Sequence, residues 1–368
     1  MYPLHQPTFL MCPPTHFSVQ YAINPWMKGN LGRTDKQLAT EQWHALAHAL
    51  KECGGAVETI DPDPTLPDMV FTANVAAIVG ELAIQSHFTH AERRVEATHA
   101  ARWLSGRGFK LAQLPEGLDL EGTGDLLRDF KLPLTWAGYG YRTSLEAHRI
   151  AAEALQYEIL TLRLVNPRFY HLDVCLAPLT HGHVMYYPGA FDAASLEAIE
   201  SRVKPSHRIV VGEDDALNFA CNAIPCGDAV ILHRASDRLK AHLAEAGYRV
   251  VEVDLSQFML AGGSARCLVL PLLEPRLTPS SAKCHLKEAH VRLEGHLLDF
   301  SVLARALDLV TTQGCSFDVE EFKPGRRSRD ISVARLRVIA PSEQLLAETT
   351  AALGALAELQ ARVEVGSV

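Results

Sequence analysis

The most constraining feature of this chain is a recurrence. Short apolar runs, each opening beside polar residues, begin near Asn74, Asp125, Asp173, Cys221 and Cys267. They return at roughly 50-residue intervals, a period that signals repeated structural units. The runs differ in sequence, so what repeats is structure. Three of them read as strand, tight turn, strand: NVAAIVGELAIQSHF turns at Gly80, HLDVCLAPLTHGHVMYYPGAF at His181-Gly182, and NFACNAIPCGDAVILHRA at Cys226-Gly227-Asp228. Helical periodicity occupies the intervals, over Asp35–Cys53, Ala91–Leu104, Ser144–Leu155, Ala193–Val203 and Ser236–Ala246. Five such units can close into a propeller-like α/β ring whose polar strand starts meet at a central channel. Residues far apart in sequence would then share one pocket.

The pattern changes near EPRLTPSSAK, Glu274 to Lys283, where two prolines and two serines follow an apolar run. This is the expected domain boundary: a catalytic domain over 1–275, a linker over 276–284 and a small domain over 285–368. In the small domain AHVRLEG, CSFDVEEF, ISVARLRVIA and ARVEV read as strands. Asp299 is placed to cap a helix carrying Leu303, Leu307 and Val310, and Pro341–Leu356 reads as a second helix. The order βαββαβ predicts a ferredoxin-like α+β fold, and no catalytic cluster stands out in it.

With 48% apolar and 21% charged residues the chain can build a packed core. A net charge of −8 offers no basic field for nucleic acid. No apolar run reaches membrane-spanning length. Met1–Thr15 holds four prolines and no basic start or signal-type cleavage site, so a cytoplasmic protein is expected. The eight cysteines are scattered, with no C-x-x-C, and most read as buried thiols. His181-Gly182-His183 lacks a third ligand at suitable spacing, so no metal is expected. Gly138-Tyr139-Gly140 lacks the third glycine of a dinucleotide fingerprint.

The remaining polar residues of interest sit at the strand starts. Cys267 follows a Gly-rich loop in GGSARCLVL, where backbone amides can approach a ligand and favour a thiolate; Ser264 belongs to the same loop. A strand cysteine is otherwise an ordinary buried thiol. Alternation puts His171 and Asp173, in FYHLDVCLAP, on one side of a strand, as an acid-base group with a polar neighbour or as two ligand contacts. Asp68, Phe71 and Asn74 in PDMVFTAN read either as a turn and cap or as a grip on a planar cation. Glu121 and Asp125 bracket a flexible Gly-Thr-Gly. Arg142, with Arg93 and Arg94 as weaker versions, can fork onto a carboxylate or merely meet a surface acid.

In this order, PDMVFTAN (Pro67–Asn74), EGTGD (Glu121–Asp125), GYGYRTS (Gly138–Ser144), HLD (His171–Asp173) and GGSARC (Gly262–Cys267) resemble the guanidino-group-modifying, or pentein, superfamily. The resemblance runs from Met11 to about Leu273. It implies a five-fold pseudosymmetric α/β propeller and a Cys-His-acid site. In that site Cys267 attacks a guanidinium carbon, His171 moves protons, and Glu121 and Asp68, with Asp173, hold the cation. Asn74 and Asn24 add contacts, and Arg142 and Arg93 bind an α-carboxylate. Deiminases and dimethylarginine hydrolases usually carry an acid where this chain has Asn74. The arginine-dihydrolase branch, whose members also resemble HVRLEGHLLDFSVLARALDLV and FDVEEFKPGRRSRDIS, matches best. The expectation is therefore L-arginine hydrolysis to ornithine without metal or organic cofactor, in a homo-oligomer. Deiminase, dimethylarginine hydrolase, amidinotransferase and non-catalytic arginine-binding readings stay open. In the longer relatives a cyclodeaminase domain follows; the sequence ends at Val368, which suggests a shortened form of that arrangement.

Overall fold

The structure is a computed structural model describing residues 6–273, 283–298, 302–325 and 330–356, with the backbone of 359–364. It divides into two compact units, Met1–Lys283 and Cys284–Val368.

The first unit builds one motif five times. An antiparallel hairpin is followed by a helix, and the chain then returns as a third strand parallel to the second. Ala76–Val79 and Leu82–Gln85 form the first hairpin, and Lys110–Ala112 joins it after helix Arg94–Gly106. The next three are Leu126–Arg128 with Leu134–Tyr139 and Glu158–Arg163, Leu176–Pro178 with Val184–Tyr186 and Arg208–Val210, and Ile224–Cys226 with Ala229–Leu232 and Arg249–Glu252. The fifth copy is assembled from the two ends of the unit. Leu270–Leu273 runs antiparallel to Thr8–Met11, which pairs in parallel with Ala56–Thr59 after helix Lys36–Glu52.

Local chemistry explains these elements. Gly80, Gly182 and Gly227 turn their hairpins at φ +61°, +93° and +61°, a region costly for a side chain bearing Cβ. Side-chain caps start the helices: Asp35 accepts from the amide of Leu38 (3.0 Å), Asp192 from Ser195 (2.8 Å) and Ser236 from Leu239 (3.3 Å), each worth about 1 kcal/mol. The helices lie at the expected positions, although the third spans only Ala147–Leu155 and Ala91–Arg93 forms a separate 3-10 turn. Apolar faces of strands and helices meet in continuous cores around Trp136, Phe169 and Phe219, and around Leu46, Phe17 and Phe258, all nearly or fully buried.

One expectation is corrected. The polar strand starts are tight turns rather than strands: 3-10 turns at Thr72–Val75, Gly122–Gly124, Leu172–Val174 and Arg266–Leu268, with Asn222 closing a fifth turn onto the carbonyl of Phe219 (3.0 Å). Turning, rather than alternation, therefore sets which way His171 and Asp173 face.

In the second unit Lys287–Gly295, Ser316–Lys323, Ser332–Ala340 and Leu359–Glu364 form one antiparallel sheet, in the spatial order second, third, first, fourth. Helices Val302–Thr312 and Glu343–Gly354 supply Ala306, Val310 and Leu353 to a core with Val291, Leu293, Leu336 and Val338. The proposed cap Asp299 lies outside the described residues. Among the described residues no helix is long and apolar enough to cross a membrane, and no group of His, Cys, Asp and Glu is arranged to hold a metal ion.

Candidate active site

The five turns touch through a continuous circuit of hydrogen bonds. Thr123 Oγ1 donates to the carbonyl of Ala73 (2.9 Å) and the amide of Leu172 to Asp125 Oδ1 (3.0 Å). Asn222 Nδ2 donates to the carbonyl of Asp173 (3.0 Å), and the amide of Cys267 to Asn222 Oδ1 (3.2 Å). Thr72 Oγ1 then donates to the carbonyl of Leu268 (3.1 Å), returning to the first turn. Nearly every polar side chain singled out from the sequence sits on or beside this circuit.

A narrow cleft opens over it, lined in part by Asn24, Asp68, Phe71, Asn74, Arg93, Arg142, Tyr170 and Cys267. Cys267 is buried. Its Sγ donates to Asp173 Oδ2 (3.3 Å) and accepts from Asn222 Nδ2 (3.1 Å). Burial first, and then the neighbouring Asp173, push this thiol well above its ordinary range. Burial likewise lifts Asp173 to about 7, against the opposing pull of Arg266. His171 faces the other way along the circuit, with Nε2 at 2.8 Å from Glu121 Oε2. Burial alone would raise Glu121, but Arg142, His171 and Arg93 outweigh it and hold this carboxyl at about 2. An ionised carboxylate only accepts, so Nε2 carries the proton of this bond. Gly124 makes the arrangement possible, because a Cβ there would lie 2.4 Å from Asn74 Nδ2 and 3.3 Å from the His171 ring.

Asp68 accepts from the Tyr21 hydroxyl at Oδ2 (2.8 Å), while its buried Oδ1 has no hydrogen-bond partner. Burial raises its pKa, with Arg93 and Tyr21 acting against the rise. Asn74 accepts from Arg93 Nη1 at Oδ1 (2.9 Å), and its buried Nδ2 is likewise without a partner. Two residues that line the cleft thus each keep one desolvated polar atom without a partner, an acceptor on Asp68 and a donor on Asn74, a costly arrangement that a ligand can relieve.

Several residues sit differently from the expectation. Glu121 does not line the cleft as a cation grip; His171, Arg142 Nη1 (3.1 Å) and the amide of Thr89 (3.3 Å) surround it. Asp173 lies against the sulfur rather than in the cleft wall. Arg142 and Arg93 reach the cleft but are already engaged. Arg142 also donates to the carbonyl of Ile23 (2.9 Å) and stacks over Tyr170 (4.7 Å), and Arg93 pairs with buried Glu96 (2.7 Å). The Ser264 hydroxyl is buried without a partner away from the cleft; its backbone amide is what favours ionisation of Cys267. Asn24 Nδ2 donates to the carbonyl of Ala261 (3.0 Å), and its Oδ1 caps the amides of Trp26 and Met27, so it ties down an N-terminal loop that lines the cleft. The Phe71 ring packs against Gly263, where a Cβ would lie 2.4 Å from it. Arg94, a weaker candidate, bonds to the carbonyl of Phe88 (3.0 Å) instead. The sequence reading missed Tyr21, Tyr170 and Asn222. Asn222 had one available signal: it stands at the start of its unit, as Asn74, His171 and Cys267 do in theirs.

Comparison with known proteins agrees with this geometry. Residues 14–274 match the family described as N,N dimethylarginine dimethylhydrolase, eukaryotic, and residues 288–367 match a region described as conserved in the LOR/SDH bifunctional enzyme. The bifunctional arginine dihydrolase/ornithine cyclodeaminase AgrE of Nostoc sp. is 43% identical over 340 residues, covering 92% of this chain and 48% of that protein. The chain thus spans about half the length of this relative. The N(G),N(G)-dimethylarginine dimethylaminohydrolase of Mycobacterium tuberculosis is 39% identical over 264 residues, 72% of this chain and 85% of that enzyme. The crystal structure of the substrate-bound N-terminal domain of ArgZ, a cyanobacterial arginine dihydrolase, superposes with a TM-score of 0.73 at 46% identity, over 74% of this chain and all of that domain. A variant of the same domain has been seen covalently bonded to a reaction intermediate. The chain therefore belongs to the dimethylarginine dimethylaminohydrolase-type family of the pentein superfamily.

Proposed function

We propose that this protein is an arginine dihydrolase, converting L-arginine and two waters to L-ornithine, carbon dioxide and two ammonia. The observation that carries the reading is that the buried Cys267 shares the lining of one cleft with Asp68 and Asn74, each of which keeps an unpartnered buried polar atom. We place the catalytic domain at 1–275, as a five-fold α/β propeller supported by the five recurring units and the circuit of turns, and a ferredoxin-like domain at 285–368.

Asp68 accepts from the planar cation. Cys267 attacks the guanidinium carbon as its proton passes to His171, held by Glu121; His171 gives that proton to the departing ammonia and then takes one from the attacking water, and the C–S bond breaks to return the sulfur and leave the ureido group. We infer that Asn74 distinguishes the two rounds. Arg93 takes one lone pair of its Oδ1, and Nδ2 is the group left wholly unpaired, so the amide's free capacity is mainly that of a donor. A guanidinium carries donors alone, whereas the ureido group left by the first hydrolysis has an oxygen that accepts. Asn74 thus favours keeping the ureido group in place for a second attack. In a deiminase that group would leave as citrulline.

Labelled arginine incubated with the full chain is expected to give ornithine and two ammonia per arginine, read by mass spectrometry with ammonia counted in parallel. Citrulline with one ammonia would replace this reading by a deiminase. Binding without ammonia release would leave only the binding module.

Affinity is expected to depend on pH. Burial raises the pKa of Asp68. A group so raised keeps its proton above the ordinary carboxylate range, and a bound cation requires it ionised, so binding releases a proton. In a Cys267→Ser variant, titration calorimetry is expected to show arginine affinity falling as pH drops through that raised pKa, by up to about tenfold per pH unit for one proton. A flat profile down to the ordinary carboxylate range would remove Asp68 from cation binding.

A further inference from the structure

The surroundings of the nucleophile oppose its ionisation: Cys267 is 3% exposed and its sulfur lies 3.3 Å from a carboxylate oxygen of Asp173. Few groups act the other way. One is the Ser264 backbone amide; the other is the carboxamide of Asn222, a fully buried residue from the neighbouring repeat that meets Sγ at 3.1 Å.

The orientation of that carboxamide is decided by its other partners. The Cys267 amide can only donate and the Asp173 carbonyl can only accept. Oδ1 must therefore face the first (3.2 Å) and Nδ2 the second (3.0 Å). The remaining N–H of Nδ2 is left pointing at sulfur, whatever the protonation state of the thiol. The Asn222 carbonyl also accepts from the amide of Arg266 (3.2 Å), so one residue holds the Cys267 turn through main chain and side chain together.

We propose that Asn222 stabilises and aims the Cys267 sulfur anion, its locked N–H group opposing burial and the charge of Asp173. A donor fixed in advance on developing charge in a dry site acts strongly, because nothing reorganises when the charge appears. This inference rests on Cys267 being the nucleophile, and not on which guanidino compound it attacks. The competing account makes Asn222 only a staple between repeats, and the two differ in what a shape-preserving change does.

Asn222→Asp keeps the outline and the oxygen that accepts from the Cys267 amide, but turns an oxygen toward sulfur in place of the N–H. Alkylation of Cys267 by iodoacetamide, followed at that residue by peptide mass spectrometry across pH in the full chain without substrate, reports thiolate formation directly. The alkylation midpoint is expected to rise by about one pH unit or more, with labelling at neutral pH falling about tenfold. For arginine turnover, kcat is expected to fall roughly 10²-fold with KM within a few-fold of the parent. Asn222→Ala removes the donor without adding an acidic oxygen; it is expected to raise the midpoint too, and serves if the Asp variant does not fold. An unchanged midpoint in a folded variant overturns the proposal and leaves Asn222 as a staple. A raised midpoint in a chain whose parent releases no ammonia from arginine would uphold it while refuting the proposed function.

Discussion

Cys267→Ala is expected to lower arginine turnover by about 10⁶-fold, the scale seen when a covalent nucleophile is removed. No other described side chain stands in for it: among the thiols, only Cys267 lines the cleft between Asp68 and Asn74. The loss should be chemical rather than a failure to fold. The substitution leaves Asn222 Nδ2 bonded to the Asp173 carbonyl, and takes from Asp173 Oδ2 and the second Asn222 N–H one contact each, a cost of about 1–3 kcal/mol for buried groups left unpaired. Thermal unfolding should therefore still be cooperative, and calorimetry should still detect arginine, since Asp68, Asn74, Arg93 and Arg142 are untouched. Turnover at parental rates in this variant would end the covalent mechanism.

Glu121→Gln is the second change of large expected effect, through a different route. Glu121 is fully buried, with Arg142 Nη1 at 3.1 Å and His171 Nε2 at 2.8 Å. Glutamine keeps the shape but removes the charge facing a buried guanidinium. The depressed carboxyl, at about 2 against 4.5 for an ordinary Glu, corresponds to about 3 kcal/mol of native-state stabilisation. Removing one partner of a buried pair costs about the same, roughly 3–5 kcal/mol. The sign follows from the direction of the shift. Because the folded pKa is lowered, the contribution is fully present above about 4.5 and is lost as pH falls toward 2. Urea unfolding of parent and variant should thus differ by a constant amount near neutrality and converge below about pH 4.5. Activity should fall further than stability alone explains, by about 10⁴-fold, because His171 loses the anionic partner that sets its tautomer and direction, and the new NH2 must face one of the donors around this position. A variant with parental stability and kcat would show that Glu121 neither anchors Arg142 nor orients His171.

The helices and hairpins were legible because local rules settle them. Asp35, Asp192 and Ser236 stand one residue before helices with an apolar face, and Gly80, Gly182 and Gly227 occupy hairpin turns where φ must be positive. Of the residues read as a site, Asn74, His171 and Cys267 stand at turns of the circuit, and Asp68 lines the cleft. Alternation failed at His171–Asp173 because a 3-10 turn, rather than a strand, sends the first toward Glu121 and the second toward Cys267.

Local sequence rules set the repeating unit and put polar residues at the start of each copy. These follow from periodicity, turn chemistry and composition, each acting over a few residues. Which of these residues pair is set by long-range packing. Glu121 meets His171 50 positions away, Asn222 meets Cys267 45 away, and Asp173 meets the same sulfur across 94. Such partners are chosen by the packing of neighbouring repeats, and their donors and acceptors are oriented by backbone groups that no local pattern specifies. The same packing occupies Arg93 and Arg142 and leaves Asp68 Oδ1 and Asn74 Nδ2 unpartnered. Burial removes the water that would otherwise have satisfied them.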